Sequence, residues 1–595
     1  MKTGVSRRAG VVVPLFSIRS KRSTGTGEIP DLRYVIDWLN QTGMSILQLL
    51  PLNELSYDNS PYNAISTFAL EPMYLCLSKL KDTSASQFRK EISDAKKIYS
   101  PVNGKTNYGI RNAKMSLLKK IFNSCDLTEN RSFEKYISEN FHWLKYYCIY
   151  KILCSLNPGK SWHDWDLKYK YIIPAIAEKI LHEYKHEVKF YSWIQWQLYE
   201  QMKSLKRYAK KKQVLLMGDI PFLVSRNSSD VWAYKNYFKL SLSSGAPPDM
   251  YFSKGQKWGM PPYNWENIVA DNYGYIKRRL KYAENFYDLF RIDHFVGLFR
   301  VWTIKLDTSK ESGGLIGKFD PEEMHDWEDH AKKIIDVMLE STSMMPCAED
   351  LGTVPEVSGK VLREYGITGI NVQRWEKKFS NKIEFIDPEK YRVNSVATVS
   401  THDSSPLTIW FEDEAGTIDK YLFQSLCEKI GIKGEKYKQV LSKLFENDSS
   451  EQNRFRWKKN LKGVFEVLNI VNPDKNSAGE LINMFLNSFR EKEIFLEYIG
   501  ITNLKKSKAD HEFVLKSLEK ISASNSVFCI NLITEYLFLD IDILKKYSTK
   551  DYRINIPGIV SENNWTQTLP VMLEELGNMK INSLLKKINM QAQRK

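Results

Sequence analysis

The sequence Leu289-Phe290-Arg291-Ile292-Asp293-His294-Phe295 begins with two apolar residues and then brings a base, an acid and an imidazole together. Side chains alternate across a β-strand, so Arg291 and Asp293 would share one face, and Ile292 and His294 the other. A guanidinium beside a carboxylate keeps that carboxylate ionised near neutral pH, which a nucleophile requires. Taken alone, however, this heptapeptide favours a structural Arg–Asp pair at the end of a strand.

Two further stretches repeat this layout and change the interpretation. Met344–Gly352 and Ser395–Asp403 each contain a short, weakly polar run that leads to an acid. In a β/α barrel the carboxyl ends of all the strands open at one mouth, where active sites are built. Three acids at three strand ends therefore predict a single site at such a mouth.

Apolar, strand-like runs alternate with helical patterns along the chain, as a parallel α/β fold requires. Helices are predicted at Asp31–Gln41 and Phe190–Lys212. The predicted strands are Val11–Phe16, Ser45–Leu52, Val214–Asp219, Leu289–Phe295, Met344–Asp350, Ile367–Val372, Ser395–His402 and Ser526–Leu532. These eight runs match the strand number of a (β/α)8 TIM barrel.

The spacing of the runs predicts one catalytic domain over residues 1–595, with insertions between the strands. A helical insertion at about 58–190 follows the second strand, and an aromatic substrate loop at about 225–285 follows the third. A second helical insertion, at about 405–525, follows the seventh strand. No internal repeat or separable binding module is evident.

Composition excludes several classes of protein. With 595 residues, of which 43% are hydrophobic, the chain can bury a large core, and disorder is excluded. The net charge of +15 suggests nucleic acid as a possible partner class. However, the lysines and arginines are spread among acidic residues and form no basic arm. The densest runs, Lys210–Lys212 and Lys586–Lys587, are typical of solvated helix ends. We therefore expect no nucleic acid partner.

The seven cysteines lie far apart without a CxxC pair, so neither disulfides nor a zinc site is indicated. This usage is typical of a reducing cytoplasm, and we expect neither a metal nor another cofactor. Val11–Phe16 follows two arginines like a signal peptide, but it is short, contains Pro14 and lacks a cleavage site. No run approaches the roughly 20 apolar residues of a membrane helix.

The segment from Gly245 to Trp265 is rich in glycine, proline and aromatic residues, and we expect it to be neither helix nor strand. It carries Asp249, Gln256 and Trp258. Such a loop on a rigid scaffold suits a platform on which a sugar stacks. It also suits a structural loop pinned by its aromatic residues, and the segment alone does not decide between the two.

The sequence resembles glycoside hydrolase family 77, the 4-α-glucanotransferases known as amylomaltases or disproportionating enzymes. It is most similar to the branch of the plant cytosolic disproportionating enzyme, without that enzyme's starch-binding modules or its large insertion. The motifs that carry the family resemblance are Gly25–Glu28, Asp58–Tyr62, Gly218–Pro221, the aromatic loop, the three acid stretches and Asn555–Gly558. The motifs that indicate similarity to this branch are Phe16–Ser20, Ser66–Leu70 and Gly317–Phe319.

The resemblance implies roles for the three acids. Asp293 would be the nucleophile, Glu349 the acid/base, and Asp403 the third acid that binds sugar hydroxyls and supports a cationic transition state. Of the neighbours Glu349 and Asp350, alternation lets one point into the mouth, and the family pattern selects Glu349. An anion such as Asp403 would raise the pKa of Glu349, so that it carries a proton at neutral pH. Carboxylates about 5 Å apart fit a retaining mechanism through a glycosyl-enzyme.

The resemblance also implies a set of substrate contacts, and for His294 and His402 a purely structural imidazole is the alternative. Asp219 is expected to order the site rather than to perform chemistry. The expected contacts are Tyr62, Asp219, Asp249, Gln256, Trp258, Arg291, His294 and His402.

Two departures from the commoner family pattern concern the acceptor. Val296 stands where arginine is usual, and Ser404-Ser405 where Asn-Asp is usual. The favoured function is a glucan transferase; the alternatives are a hydrolase of the same clan and a non-catalytic glucan-binding protein. The expected partners are α-1,4-glucans, from malto-oligosaccharides to glycogen or starch-like polymers, without a membrane. A monomer or a small homo-oligomer is expected.

Overall fold

A computed structural model describes residues 6–83, 85–126, 130–248, 254–309, 313–379, 383–446 and 453–594. Eight parallel strands form its central sheet. They are β1 (Arg8–Val13), β2 (Ile46–Leu49), β3 (Leu215–Ile220), β4 (Leu289–Ile292), β5 (Met345–Ala348), β6 (Gly369–Val372), β7 (Ser395–Thr398) and β8 (Phe528–Leu532). Each of them overlaps one predicted strand.

The sheet closes into a barrel. Its strands pair in the order β6-β7-β8-β1-β2-β3-β4-β5; six of these seven pairings join strands that are consecutive in the sequence, and the seventh joins β8, the last strand, to β1, the first. The eighth joins β5 to the segment before β6, through a parallel bridge between Cys347 and Thr368. The backbone N–H of Ala348 donates to the carbonyl of Thr368 over 2.7 Å. The predicted (β/α)8 barrel is therefore confirmed.

The strands are apolar because they are buried on both faces. Every residue of β2, β4, β7 and β8 is buried. Parallel strands covered by helices lose the alternating pattern of a half-exposed strand. Close packing also fixes a glycine in β3, because a Cβ at Gly218 would lie 2.3 Å from the ring of Tyr287.

The helices that lead to β3 include the two longest of the described chain. The helix after β1 is Leu32–Thr42, as predicted. The segment between β2 and β3 contains the helices Arg89–Ile98, Ile110–Asn123, Arg131–Leu156, Leu167–Lys170, Pro174–Glu183 and Lys185–Lys211. The last of these contains nearly all of the predicted helix Phe190–Lys212, and its buried face includes Trp193 and Trp196. This segment packs against the core of the barrel.

The segments after β3 and β4 share a small antiparallel sheet. Leu242–Ala246 and Gln256–Lys257 come from the first segment, and Val301–Lys305 and Lys318–Asp320 from the second. The expectation that residues 245–265 contain no strand was wrong at 245–246 and 256–257. These pairings are too short to produce a period-two pattern, and the partner that completes the sheet lies in another segment. Helices Ser229–Ala233, Trp265–Ala270 and Gly274–Ala283 also lie between β3 and β4 in the sequence.

The remaining elements between β4 and β8 are mainly helical. Helices Trp327–Ser341 and Glu356–Tyr365 flank β5. The segment between β7 and β8 contains the helices Leu407–Ile409, Trp410–Glu414, Lys420–Lys429, Gly434–Leu444, Val464–Val471, Lys475–Ser488, Glu491–Tyr498 and His511–Ser522. Two short antiparallel pairs join Lys377–Phe379 to Ile383–Phe385, and Thr417–Asp419 to Arg454–Arg456. Residues 418–485 contain a hydrophobic cluster of their own, centred on Phe423, Phe445 and Trp457.

The chain ends beside its first helix. Ile533–Leu537, Ile541–Lys546, Leu573–Leu576 and Ile581–Gln591 are the helices after β8. The indole of Trp38 donates to the side chain of Asn582 over 2.8 Å, which joins the helix after β1 to the final one. Within the described ranges, none of the helices combines the length and apolar character that a membrane crossing needs.

Candidate active site

The three acids lie at the carboxyl ends of their strands, around the guanidinium of Arg291 in β4. Arg291 is 5% exposed. Its Nη1 lies 3.1 Å from Oδ1 of Asp293, and its Nη2 lies 3.7 Å from Oε2 of Glu349. The same Nη1 donates to both oxygens of Asp219, over 2.8 and 2.9 Å. The guanidinium of one buried arginine therefore contacts carboxylates at the ends of three adjacent strands, β3, β4 and β5.

Asp293 follows β4 directly, and its carboxylate is held from two sides. The backbone N–H of Phe222 donates to Oδ2 over 3.1 Å, while Arg291 contacts Oδ1. The backbone N–H of Asp293 donates to the carbonyl of Ile220, which fixes the strand end against β3. The side chain is 21% exposed, so its carboxylate is accessible from the mouth.

Glu349 follows β5, and its side chain is held by the backbone of the neighbouring strand end. The backbone N–H of His294 donates to its Oε2 over 2.8 Å. Burial, partly offset by Arg291, and the nearby Asp293 and Asp403 raise the pKa of Glu349 to about 8. The predicted direction of this shift is confirmed. However, burial is its largest cause, and Asp293 contributes more than Asp403.

Asp403 stands in the turn after β7, where it remains ionised. Burial alone would raise its pKa, but His402 and an amide hydrogen bond from Asn555 outweigh this effect and lower the pKa to about 2. Nε2 of His402 lies 3.2 Å from Oδ2, and Nδ2 of Asn555 donates to Oδ1 over 2.7 Å. Sequence reasoning placed Asn555 in a motif but did not assign it to the site, because 152 residues separate it from Asp403.

Tyr62 joins Asp219 to the aromatic wall of the site. Its hydroxyl donates to Oδ2 of Asp219 over 2.7 Å, and its ring stacks on His402 with centroids 5.3 Å apart. The ring of Trp565 completes the group, 5.8 Å from Tyr62 and 5.9 Å from His402. Trp565 has φ +62, a left-handed conformation that bulky residues rarely adopt. No sequence signal marked this residue.

The aromatic loop reaches the site through Trp258. Its ring meets His294 edge to face, with centroids 4.9 Å apart, and its Nε1 donates to Oε1 of Gln256 over 3.1 Å. Burial lowers the pKa of His294 to about 4, so its imidazole is neutral at pH 7. The structure thus brings seven of the eight expected contact residues together with the acids. The eighth, Asp249, lies outside the described residues.

This arrangement can process a glycosidic bond. It presents the protonated carboxyl of Glu349 near the ionised carboxylate of Asp403, with aromatic rings beside them. Over the described ranges, no group of three or more His, Cys, Asp or Glu residues is arranged to hold a metal ion.

A barrel with these carboxylates at its mouth is typical of a glycoside-processing enzyme. The chain matches the family model described as glycoside hydrolase family 77, 4-alpha-glucanotransferase, over residues 13–572, and it belongs to this family. The family assignment supports transfer over hydrolysis as its reaction.

Known proteins agree with this assignment. The chain is 31% identical to a 4-alpha-glucanotransferase of Chlamydia muridarum, over 98% of this chain and 94% of that protein. It is 27% identical to a 4-alpha-glucanotransferase of Oryza sativa subsp. japonica, over 70% of this chain and 59% of that protein. Among solved structures, the amylomaltase of Streptococcus agalactiae in complex with acarbose shares the fold. Its TM-score is 0.72 at 20% identity, over 99% of both chains.

Proposed function

We propose that this enzyme transfers α-1,4-glucan segments or glucosyl units from a malto-oligosaccharide donor to a glucan or glucose acceptor. The observation that carries the proposal is the placement of Asp293 and Glu349 on either side of one guanidinium. The raised pKa of Glu349, about 8, gives the site a proton donor at neutral pH beside a carboxylate nucleophile.

In the first half of the reaction, Glu349 gives its proton to the oxygen of the scissile bond. An oxygen of Asp293 attacks the anomeric carbon, the glycosidic bond breaks, and the shortened glucan leaves as an alcohol. In the second half, ionised Glu349 takes a proton from an acceptor hydroxyl, whose oxygen displaces Asp293. Two inversions retain the configuration of the anomeric carbon.

The other groups support these two steps. Arg291 donates a hydrogen bond to the carboxylate of Asp293 and is itself held by Asp219. Asp403, which stays ionised, accepts hydroxyl protons of the sugar and favours the cationic transition state. Neutral His294 and the His402 ring supply further contacts to the donor sugar. Gln256 orients the indole of Trp258.

The choice between an acceptor sugar and water rests on the aromatic wall. An acceptor bound in place has a large proximity advantage over water for attack on the glycosyl-enzyme. Tyr62, which packs against the buried ring of Trp565, and Trp258 offer faces on which a glucose ring can stack. All seven cysteines are free, which supports a reducing compartment such as the cytoplasm as the place of this reaction.

Incubation of the pure enzyme with maltotriose tests the proposal. We expect glucose together with longer α-1,4-linked chains, an almost constant total of reducing ends, and retained anomeric configuration by NMR. Protein carrying Asp293→Asn, prepared in parallel, excludes a contaminating activity. Reducing ends that rise steadily without longer chains would indicate a hydrolase. No change on maltotriose or glycogen would favour a glucan-binding protein.

A further inference from the structure

The serines that replace the usual Asn-Asp pair after Asp403 contact a buried arginine from the neighbouring strand. Arg374 follows β6 and is 1% exposed. Its Nη2 donates to Oγ of Ser404 over 2.9 Å and to the carbonyl oxygen of Ser405, and its Nη1 donates to Oγ of Ser405 over 3.2 Å. From this geometry we propose that Arg374 is a positioning residue for transfer. It acts through the serines and holds Asp403 and His402 at the barrel mouth.

The hydroxyl of Ser404 transmits this contact to the turn. It accepts the backbone N–H of Thr401 over 2.9 Å in addition to Arg374, and it donates to the carbonyl of Thr401 over 3.1 Å. A serine hydroxyl has one donor and two acceptor positions, so all three are used. The turn that carries His402 and Asp403 is therefore fixed at both of its ends by one hydroxyl, and Arg374 fixes the hydroxyl.

A buried carboxyl holds the same turn from the other side. Glu535, after β8, is 2% exposed and accepts the hydroxyl of Ser400 and the backbone N–H of Leu407. Burial raises the pKa of this carboxyl, while the hydrogen bonds from Ser400 and Leu407, and then Arg374, lower it in part. Residues 400–407 thus lie between a buried guanidinium and a buried carboxyl.

Burial of these groups is costly unless their hydrogen bonds are made well. A turn that needed only to connect two elements could be held by neutral groups. This turn carries a carboxylate that must meet a sugar from a fixed position, and a displacement of about 1 Å in such a group can cost on the order of 100-fold in rate. The contacts of Arg374 and Glu535 with this turn are therefore expected to affect the rate of transfer as well as the stability of the fold.

The inference rests on the proposed function, and it is tested with Arg374→Met, which keeps the length of the side chain and removes its donors. With maltotriose we expect kcat to fall about 30- to 100-fold while KM changes less than about threefold, since Asp403 acts mainly in the transition state. Arg374→Lys should recover part of the loss, because lysine keeps the charge but reaches the two serines less well. Adding Ser404→Ala to Arg374→Met should lower kcat little further.

Arg594 supplies the matched control. It is 3% exposed and donates to Ser522 and to Ser524 beside the beginning of β8, at the opposite end of the barrel. Arg594→Met should lower the melting temperature but leave the kcat of the folded enzyme within about twofold of wild type. Equal kcat losses in the two methionine variants would overturn the inference, as would an unchanged kcat in Arg374→Met.

Hydrogen exchange separates this inference from the proposed function. The backbone amides of Thr401 and Ser404 should exchange at least tenfold faster in Arg374→Met than in wild type. Their exchange rates should be unchanged in Arg594→Met. Unchanged exchange in Arg374→Met would overturn the positioning role whatever the enzyme's substrate. A wild-type enzyme that does not act on maltotriose would refute the proposed function, and the exchange rates would still decide whether Arg374 holds the turn.

Discussion

Arg291 and Asp219 form a buried ion pair in which one guanidinium nitrogen meets both carboxylate oxygens, at 2.8 and 2.9 Å. Desolvation raises the pKa of Asp219, and Arg291 lowers it. The pair fixes the direction of Arg291, which also contacts the carboxylates of Asp293 and Glu349. Asp219 therefore controls the geometry of the two reacting carboxyls from the neighbouring strand.

We expect Asp219→Asn to damage activity more than a comparable change elsewhere. Removing the charge leaves Arg291 buried with weaker partners, which should lower the free energy of unfolding by about 1–3 kcal/mol. Because Arg291 can then turn toward Asp293 or Glu349, kcat should fall on the order of 100-fold. Urea unfolding and transfer assays on maltotriose would measure both effects.

Glu491→Gln provides the control for Asp219→Asn. Its carboxylate forms a buried pair with Lys377 outside the site. A similar loss of stability with normal kcat is expected there. Equal kcat losses in the two variants would show that Asp219 acts only through stability.

Asp293→Asn should fold and lose nearly all turnover, because an amide cannot form the glycosyl ester. A fluorinated glycosyl donor should trap the ester on wild-type enzyme, and peptide mapping should find the label on Asp293. Label on Glu349 or Asp403 would overturn the assignment of the nucleophile. The backbone N–H of Phe222 should keep the substituted side chain in place, since it contacts Oδ2 at 3.1 Å.

The raised pKa of Glu349 sets the alkaline limit of activity. The acid must carry its proton to start the reaction, so kcat/KM should fall tenfold per pH unit above about pH 8. The folded state also binds this proton more tightly than the unfolded chain. Its contribution to stability is therefore complete below about pH 4.5 and is lost as the pH rises to about 8. Initial rates from pH 5 to 10 would measure the limit, and a fall already complete at pH 6 would contradict it.

The fold was predictable because its signals are local. Each barrel strand is a short apolar run, and each acid follows such a run by a few residues, as Asp293 follows Ile292. The missed parts depend on long-range contacts. Asn555 reaches Asp403 from a loop without periodicity, and Trp565 reaches His402 through a left-handed backbone. The contacts of Arg374 with Ser404 and Ser405 likewise exist only after β6 and β7 pair.

Activity should survive removal of divalent metal ions. The three acids have complete roles in a mechanism without metal, and their partners are protein groups such as Arg291 and Asn555. Dialysis against a chelator should leave kcat on maltotriose within about 20% of its starting value. A reversible loss that one particular divalent ion restores would reveal a metal site, and the melting temperature would show whether that ion serves the fold alone.

Trp258 is expected to keep water from the glycosyl-enzyme. Its ring lies edge to face against His294 at 4.9 Å, and its Nε1 is held by Gln256. Replacing the indole by Ala opens this side of the site and removes a stacking face for the sugar. The ratio of transfer to hydrolysis should then fall about tenfold, chiefly because the bound acceptor loses its proximity advantage.

Trp258→Phe keeps an aromatic face, and its ratio of transfer to hydrolysis should stay within about threefold of wild type. Product chromatography with a parallel reducing-end assay gives the ratio directly. If Trp258→Ala kept the wild-type ratio while overall activity fell, the indole would serve the structure of the loop and another group would exclude water.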